Sequence, residues 1–216
     1  MKTQLLLLPI LFINSFFIYS QTHSISAKVG TTISNSTESN VQIRKPISSL
    51  NYGLGYQNLL FKKKLIIAIE LEYLQLGFKS DEKWKYNMYL DDPQIYHGER
   101  IVNYKSTYLC LPVKIGVNFG EKLYFQPRIG LSMSKLLFSP NLHYDELYPT
   151  KKYRITNYDA SIIAEVCSGL KLGDNFSTEL SIAYQRGLID YIKYTPFNSK
   201  DYHRSLSVNL GLRYYL

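Results

Sequence analysis

Three of the four histidines have carboxylates close by in the chain. His97 lies near Asp91, Asp92 and Glu99, His143 near Asp145 and Glu146, and His203 near Asp201. An imidazole beside a carboxylate can move protons, and with further donors it can hold a metal ion. No HxxxH or comparable spacing links these residues. They read as solvated side chains of connecting loops, so neither a catalytic centre, a metal nor a cofactor is expected. The chain also lacks a CxxC pair, a GxSxG elbow and a phosphate-binding glycine loop.

A second set of reactive side chains sits in a different setting. Glu70, Glu72, Lys114, Arg128, Glu165 and Glu179 interrupt runs that are otherwise apolar at every second position. In "YLCLPVKIGVNFG", Leu109, Leu111, Val113, Ile115, Val117 and Phe119 alternate with Cys110, Pro112, Lys114, Gly116 and Asn118. Period-two alternation marks a strand whose faces meet different surroundings.

Eight segments carry that pattern: about 24–32, 49–59, 65–78, 108–120, 123–134, 157–172, 176–185 and 204–216. "FKKK" (Phe61–Lys64), "GEK" (Gly120–Lys122) and "GDN" (Gly173–Asn175) join three pairs of them and read as tight hairpin turns. The remaining connections, about 33–48, 79–103, 135–156 and 186–203, are long. Short turns at one end and long loops at the other are the plan of a barrel spanning an outer membrane. The segments run to ~10 residues or more, the length of a tilted bilayer-crossing strand, whereas globular strands average ~5–6. The expected fold is all-β: an eight-stranded antiparallel up-and-down transmembrane barrel with short periplasmic turns and long extracellular loops.

The first twenty residues stand apart. Lys2 precedes an apolar run from Leu5 to Ile18, and Ser20 is a small residue suited to cleavage. Residues 1–20 read as a secretory signal peptide and 21–216 as the barrel domain. No cysteine near the cut points to a lipid anchor. The formal charge of +8 is spread along the chain without a stripe, and an exported protein seldom meets nucleic acid, so nucleic acid is not an expected partner. "NST" at Asn35 and "NFS" at Asn175 match a glycosylation pattern that carries little weight in a bacterial exported protein.

In a bilayer every backbone amide must be satisfied within the protein, so the sheet must close, and lipid replaces the hydrophobic core. Eight strands leave an interior just wide enough for side chains to fill, so no open pore is expected. The inward charges should therefore pair, because an unpaired buried ion costs several kcal/mol. Glu70, Lys114 and Arg128 each lie six residues from a tight turn. Glu70 should bridge Lys114 or Arg128, with Glu165 balancing the other cation, as a structural lumen network that includes Glu72 and Glu179.

Other expectations follow residue by residue. Pro112 and Pro127 lack a ladder donor and should each sit at a bulge or break. Tyr52, Tyr56, Tyr73, Tyr108, Tyr184 and Tyr214 are candidates for belts at the membrane surfaces. Cys110 and Cys167 point inward two strands apart, too far for a disulfide, whose Cα atoms lie within ~7 Å. The stretch 79–103 holds Trp84, Tyr86, Tyr89 and Tyr96 among charges and is the best loop contact surface for a partner protein.

"LEYLQLGF" (Leu71–Phe78), "YLCLPVKIGV" (Tyr108–Val117), "FQPRIGLSMS" (Phe125–Ser134), "LSIAYQRGLIDY" (Leu180–Tyr191) and the closing "LSVNLGLRYYL" resemble strands of the PorT-like outer-membrane β-barrel family of Gram-negative bacteria. The aromatic-Leu-x-hydrophobic-Pro pattern around Pro112 belongs to that resemblance. Leu216 departs from it, since many barrels end in an aromatic residue. The resemblance implies an architecture, and through the family's named member a role in protein export. It brings no catalytic residues.

These observations converge on a non-enzymatic, monomeric barrel surrounded by outer-membrane lipid, with envelope or secretion proteins as partners through its loops. Two other classes remain open: a barrel hydrolase or acyltransferase using His97, His143 and His203, and a soluble lipocalin-like carrier.

Overall fold

A computed structural model describes residues 22–37, 44–61, 63–87, 95–139, 153–190, 192–194 and 202–216, with the backbone alone at 37, 80–87, 95–102, 153–155 and 192–194. Among the described residues ten strands follow one another: β1 Thr22–Thr37, β2 Arg44–Leu60, β3 Leu65–Asn87, β4 Ile95–Val117, β5 Leu123–Phe138, β6 Tyr153–Ile155, β7 Tyr158–Lys171, β8 Phe176–Gly187, β9 Ile192–Tyr194 and β10 Tyr202–Tyr215. Eight of them close into an antiparallel barrel in the order β1-β2-β3-β4-β5-β7-β8-β10, with β10 pairing back onto β1. β6 and β9 form a separate two-stranded ribbon.

The alternation reads directly onto the wall. On β4, Leu109, Leu111, Val113, Ile115 and Val117 point outward and are exposed, while Cys110, Pro112 and Lys114 between them are buried. Outward Ile25, Leu54, Leu71, Leu131, Ile162, Leu180, Leu210 and Leu212 continue the apolar surface around the barrel. Neither a second sheet nor a helix among the described residues covers it. A surface so apolar is out of place in water and matches hydrocarbon.

Strand ends differ from the sequence reading. β3 and β4 keep one register from Leu65↔Val117 out to Asn87↔Ile95, so much of the expected loop 79–103 is a two-stranded ribbon. Each of these strands has 23 residues, against the ~10 that cross a bilayer. β1 also runs to Thr37, β2 starts at Arg44, and β6 pairs with β9 inside two further expected loops. Above the lipid both faces of a strand are wet, so pairing continues where the apolar alternation has stopped.

Both prolines fall at gaps in the ladder, without bulges. Asn118 N donates to Lys64 O, and hydrogen-bonded pairs recur at every second residue, so Pro112 would have bonded Glu70. The β3–β4 pairing lapses there and resumes in the same register. Phe119 and Phe125 exchange bonds of 2.9 and 2.8 Å, and the next such pair would be Val117 with Pro127. β4–β5 pairing ends one residue earlier, at Gly116↔Arg128.

The tyrosines separate into two groups. Tyr52, Tyr56, Tyr184 and Tyr214 face outward and are exposed. Tyr52 stacks on half-buried Tyr73 at 4.7 Å, and Phe176 lies 5.0 Å from Tyr214 near the tight-turn end. Tyr108 is a correction: it shares the parity of Cys110 and Lys114 and is fully buried inside the barrel.

Candidate functional site: a charged layer across the barrel interior

Seven strands send ionisable groups into the lumen at one level. Lys114 of β4 lies at the centre, its Nζ 2.7 Å from Glu70 Oε1 and 2.6 Å from Glu165 Oε2. Arg128 of β5 approaches the same two carboxylates less closely, 3.5 Å to Glu165 and 3.8 Å to Glu70. Its Nη2 donates to Gln57 Oε1 at 2.8 Å and also to Gln126 Oε1. Lys28 of β1 pairs with Glu70 and, at 2.5 Å, with Glu72. A second cluster stands beside the first: Arg213 of β10 lies 2.7 Å from Glu179, which also accepts a 2.6 Å hydrogen bond from Tyr124. Four cations thus face four carboxylates, and the layer is neutral.

Lys28, Tyr124 and Arg213 are absent from the sequence reading. Arg213 lies in a terminal segment dominated by its alternating leucines, and Lys28 shares its inward parity with the short residues Ser24, Ser26, Gly30 and Thr32. A legible signal existed nonetheless. Lys114 is in register with Gly130, Arg128 with Gly116, Glu70 with Gly55, and Lys28 with both Gly53 and Gly211. A glycine on the inward parity leaves room for a long side chain from the next strand to lie flat across it. At Gly53 a Cβ would stand 3.1 Å from Glu72 Cγ and 3.2 Å from Lys28 Cε, so Lys28 reaches the β3 carboxylates over β2 through this gap.

The layer is packed. Two voids of about 20 Å³ adjoin it, one lined by Lys28, Asn51, Glu72, Lys114, Gln185 and Asn209, the other including Arg128, Glu165, Cys167, Glu179 and Arg213. Each has room for about one water. Beyond the charges one apolar patch, Leu74, Leu76, Tyr108 and Cys110 packed against Leu136, stands in an interior otherwise lined by polar side chains such as Ser34, Ser106, Ser161, Gln185 and Ser205. Cys110 and Cys167 are free buried thiols on strands separated by β5, and Ser134 Oγ lies 3.1 Å from the Cys110 sulfur.

The histidine set does not assemble as a loop centre. His203 is on β10, buried in the lumen, with its Nε2 3.4 Å from the Tyr108 hydroxyl. His97 lies on β4 opposite Lys85 in the ribbon, and His143 is outside the described residues. Among the described residues no group of three His, Cys, Asp or Glu side chains is placed to hold a metal. Of the aromatic contact residues, Trp84 pairs with Gly98 and Tyr86 with Tyr96 along the ribbon, while Tyr89 lies outside the described residues.

No protein-family model and no curated protein sequence matches the chain. Solved structures do. The outer membrane protein OprG of Pseudomonas aeruginosa superposes with a TM-score of 0.54 at 8% identity, over 92% of this chain and 97% of that one. The outer membrane protease OmpT of Escherichia coli superposes with a TM-score of 0.50 at 9% identity, over 91% and 97%. The chain is therefore an outer-membrane β-barrel by fold, closed from eight antiparallel strands. Its apolar wall, with lipid as its solvent, places it in an outer membrane.

Proposed function

We propose that the chain is a non-enzymatic barrel of PorT-like kind, made with a cleaved signal peptide at 1–20, whose work is done at its surface ribbon. The six carboxylates and bases Glu70, Glu72, Lys114, Arg128, Glu165 and Glu179, joined by Lys28 and Arg213, act as a structural plug. The observation that carries this reading is the filled interior: among the described residues a neutral charged layer, flanked by voids of about 20 Å³, occupies the lumen and supports a closed barrel. Function then falls to the ends of the barrel. The β3–β4 ribbon is the element with the most strand beyond the bilayer-crossing length. Its register sets Trp84, Tyr86 and Tyr96 on one face, a composition suited to a protein partner in secretion or envelope maintenance.

The test is replacement of residues 81–101 by a two-residue turn in the producing cell. Loss of secretion or of detergent resistance, with barrel level and heat-modifiable gel mobility unchanged, is the expected result. An unchanged phenotype would remove the ribbon from the function. Hydrolysis of ester or peptide substrates by the purified barrel, abolished by His203→Ala, would replace the proposal with the enzymatic reading.

A further inference from the structure

The tight-turn end of the lumen opens into a cavity of about 200 Å³. Its walls come from two turns and a strand end: Lys63 and Lys64 before β3, Asn118, Gly120 and Glu121 after β4, and Lys171 closing β7. Tyr124, Gln126, Leu59 and Tyr215 line its deeper part. The deep polar groups are already committed. Gln126 Nε2 donates to Asn118 Oδ1 at 2.7 Å, Asn118 Nδ2 donates to the Gly120 carbonyl at 3.1 Å, and the Tyr124 hydroxyl is held by Glu179. The lysines are not. Among the described residues Lys63, Lys64 and Lys171 make no ion pair, and Lys171 rests its ammonium 4.7 Å from the centre of the Tyr215 ring.

Three lysines thus line a concavity to which one acidic residue, Glu121, contributes. A cleft lined by one sign of charge, with low-dielectric walls, concentrates the opposite ion. The turn itself is unusual: Phe61 and Lys63 have φ of 48° and 65°, a region normally left to Gly, Asn or Asp. Lys63 thus occupies a backbone position that glycine would adopt more easily, and it lines the cavity.

We infer that this mouth is an anion-binding cup for a phosphate group presented on the periplasmic side. The excess of two positive charges matches a phosphomonoester, which carries about −1.5 to −2 at neutral pH. The cavity is smaller than the ~300–1,000 Å³ of drug-sized sites, so it takes a group of phosphate size and not a whole cofactor. A soluble phosphomonoester and a lipid headgroup offer the same chemistry here.

The full mature chain in phosphatidylcholine nanodiscs provides the test, with inorganic phosphate as the probe and chloride at matched ionic strength as the reference. Amide resonances of Lys63, Gly120 and Lys171 should shift saturably with phosphate and not with chloride. The Lys64→Ala/Lys171→Ala pair should weaken binding about tenfold, and the Lys64→Arg/Lys171→Arg pair should keep it. Retained heat-modifiable mobility identifies folded variants. Doping the discs with phosphatidic acid, whose headgroup is a phosphomonoester, separates the two sources: loss of the phosphate response means the headgroup occupies the cup, and an unchanged response means a soluble ligand does. A response that fails to saturate, that chloride reproduces, or that survives Lys→Ala unchanged overturns the inference.

Discussion

Lys114 and Glu165 stand on strands that are not neighbours, yet their charged atoms are 2.6 Å apart, bridging over β5 inside the barrel. Gly130 makes that crossing possible: it is the β5 residue in register with Lys114, and a Cβ there would lie 2.8 Å from Lys114 Cγ. Charges and glycines in this interior form one arrangement, and the stability predictions concern both.

Lys114→Met leaves Glu165 with Arg128 at 3.5 Å and Glu70 with Lys28. Breaking a buried pair from one side costs about 3–5 kcal/mol. Urea unfolding in lipid vesicles should show that loss, and Glu70→Gln a smaller one of about 1–3 kcal/mol. Adding Glu70→Gln and Glu165→Gln to Lys114→Met should recover part of the stability. Equal stability of Lys114→Met and wild type would remove the lysine from the layer.

Gly130→Ala places a methyl 2.1 Å from the Val113 carbonyl oxygen, a contact that backbone must move to relieve. Overpacking of this kind costs about 1–3 kcal/mol. Gly173→Ala, with nothing within 4 Å, serves as the control and should unfold at the wild-type urea concentration.

Leu111→Arg tests the wall. Leu111 is outward at mid-strand beside Leu71 and Leu54, and arginine at the bilayer midplane costs about 2–4 kcal/mol. Leu172→Arg, in the turn after β7, should cost about 0–1 kcal/mol. The comparison is read from equilibrium unfolding in vesicles, and equal effects at the two depths would contradict a lipid-facing band.

The two 20 Å³ voids should each hold an ordered water. Arg213 Nε and Nη1 and Asn209 Oδ1 have no protein partner, and a water needs two to four polar neighbours. A high-resolution crystal structure, or water-edited solid-state NMR at Arg213, would detect it. Planar-bilayer recordings should show no steady open-channel current.

Cys110 and Cys167 should resist a membrane-permeant maleimide in the folded barrel and react in 8 M urea, since both are 1% exposed. Labelling without denaturant would mean the lumen opens spontaneously.

Much of the site was written in the chain at the level of parity. Glu70, Lys114, Arg128 and Glu165 interrupt outward-apolar runs, so their inward direction follows from period two alone. The partner of each did not follow. Lys28 reaches Glu72 across β2 through the gap at Gly53, and Arg213 meets Glu179 two residues off register on the neighbouring β8, so both pairs depend on how the strands align. His203 lies in the barrel and not in a loop because strand β10 begins at Tyr202, before the apolar alternation that marks it in sequence.

What the sequence alone determined was the wall: eight amphipathic segments, their tight turns, and which side chains meet lipid, since a strand's two faces are decided by the residues themselves. Tertiary structure decided which charges pair, how far β3 and β4 run past the bilayer, and that three lysines line one cavity. Those depend on register and closure, which bring together residues far apart in the chain, and no local pattern encodes a distance across a lumen.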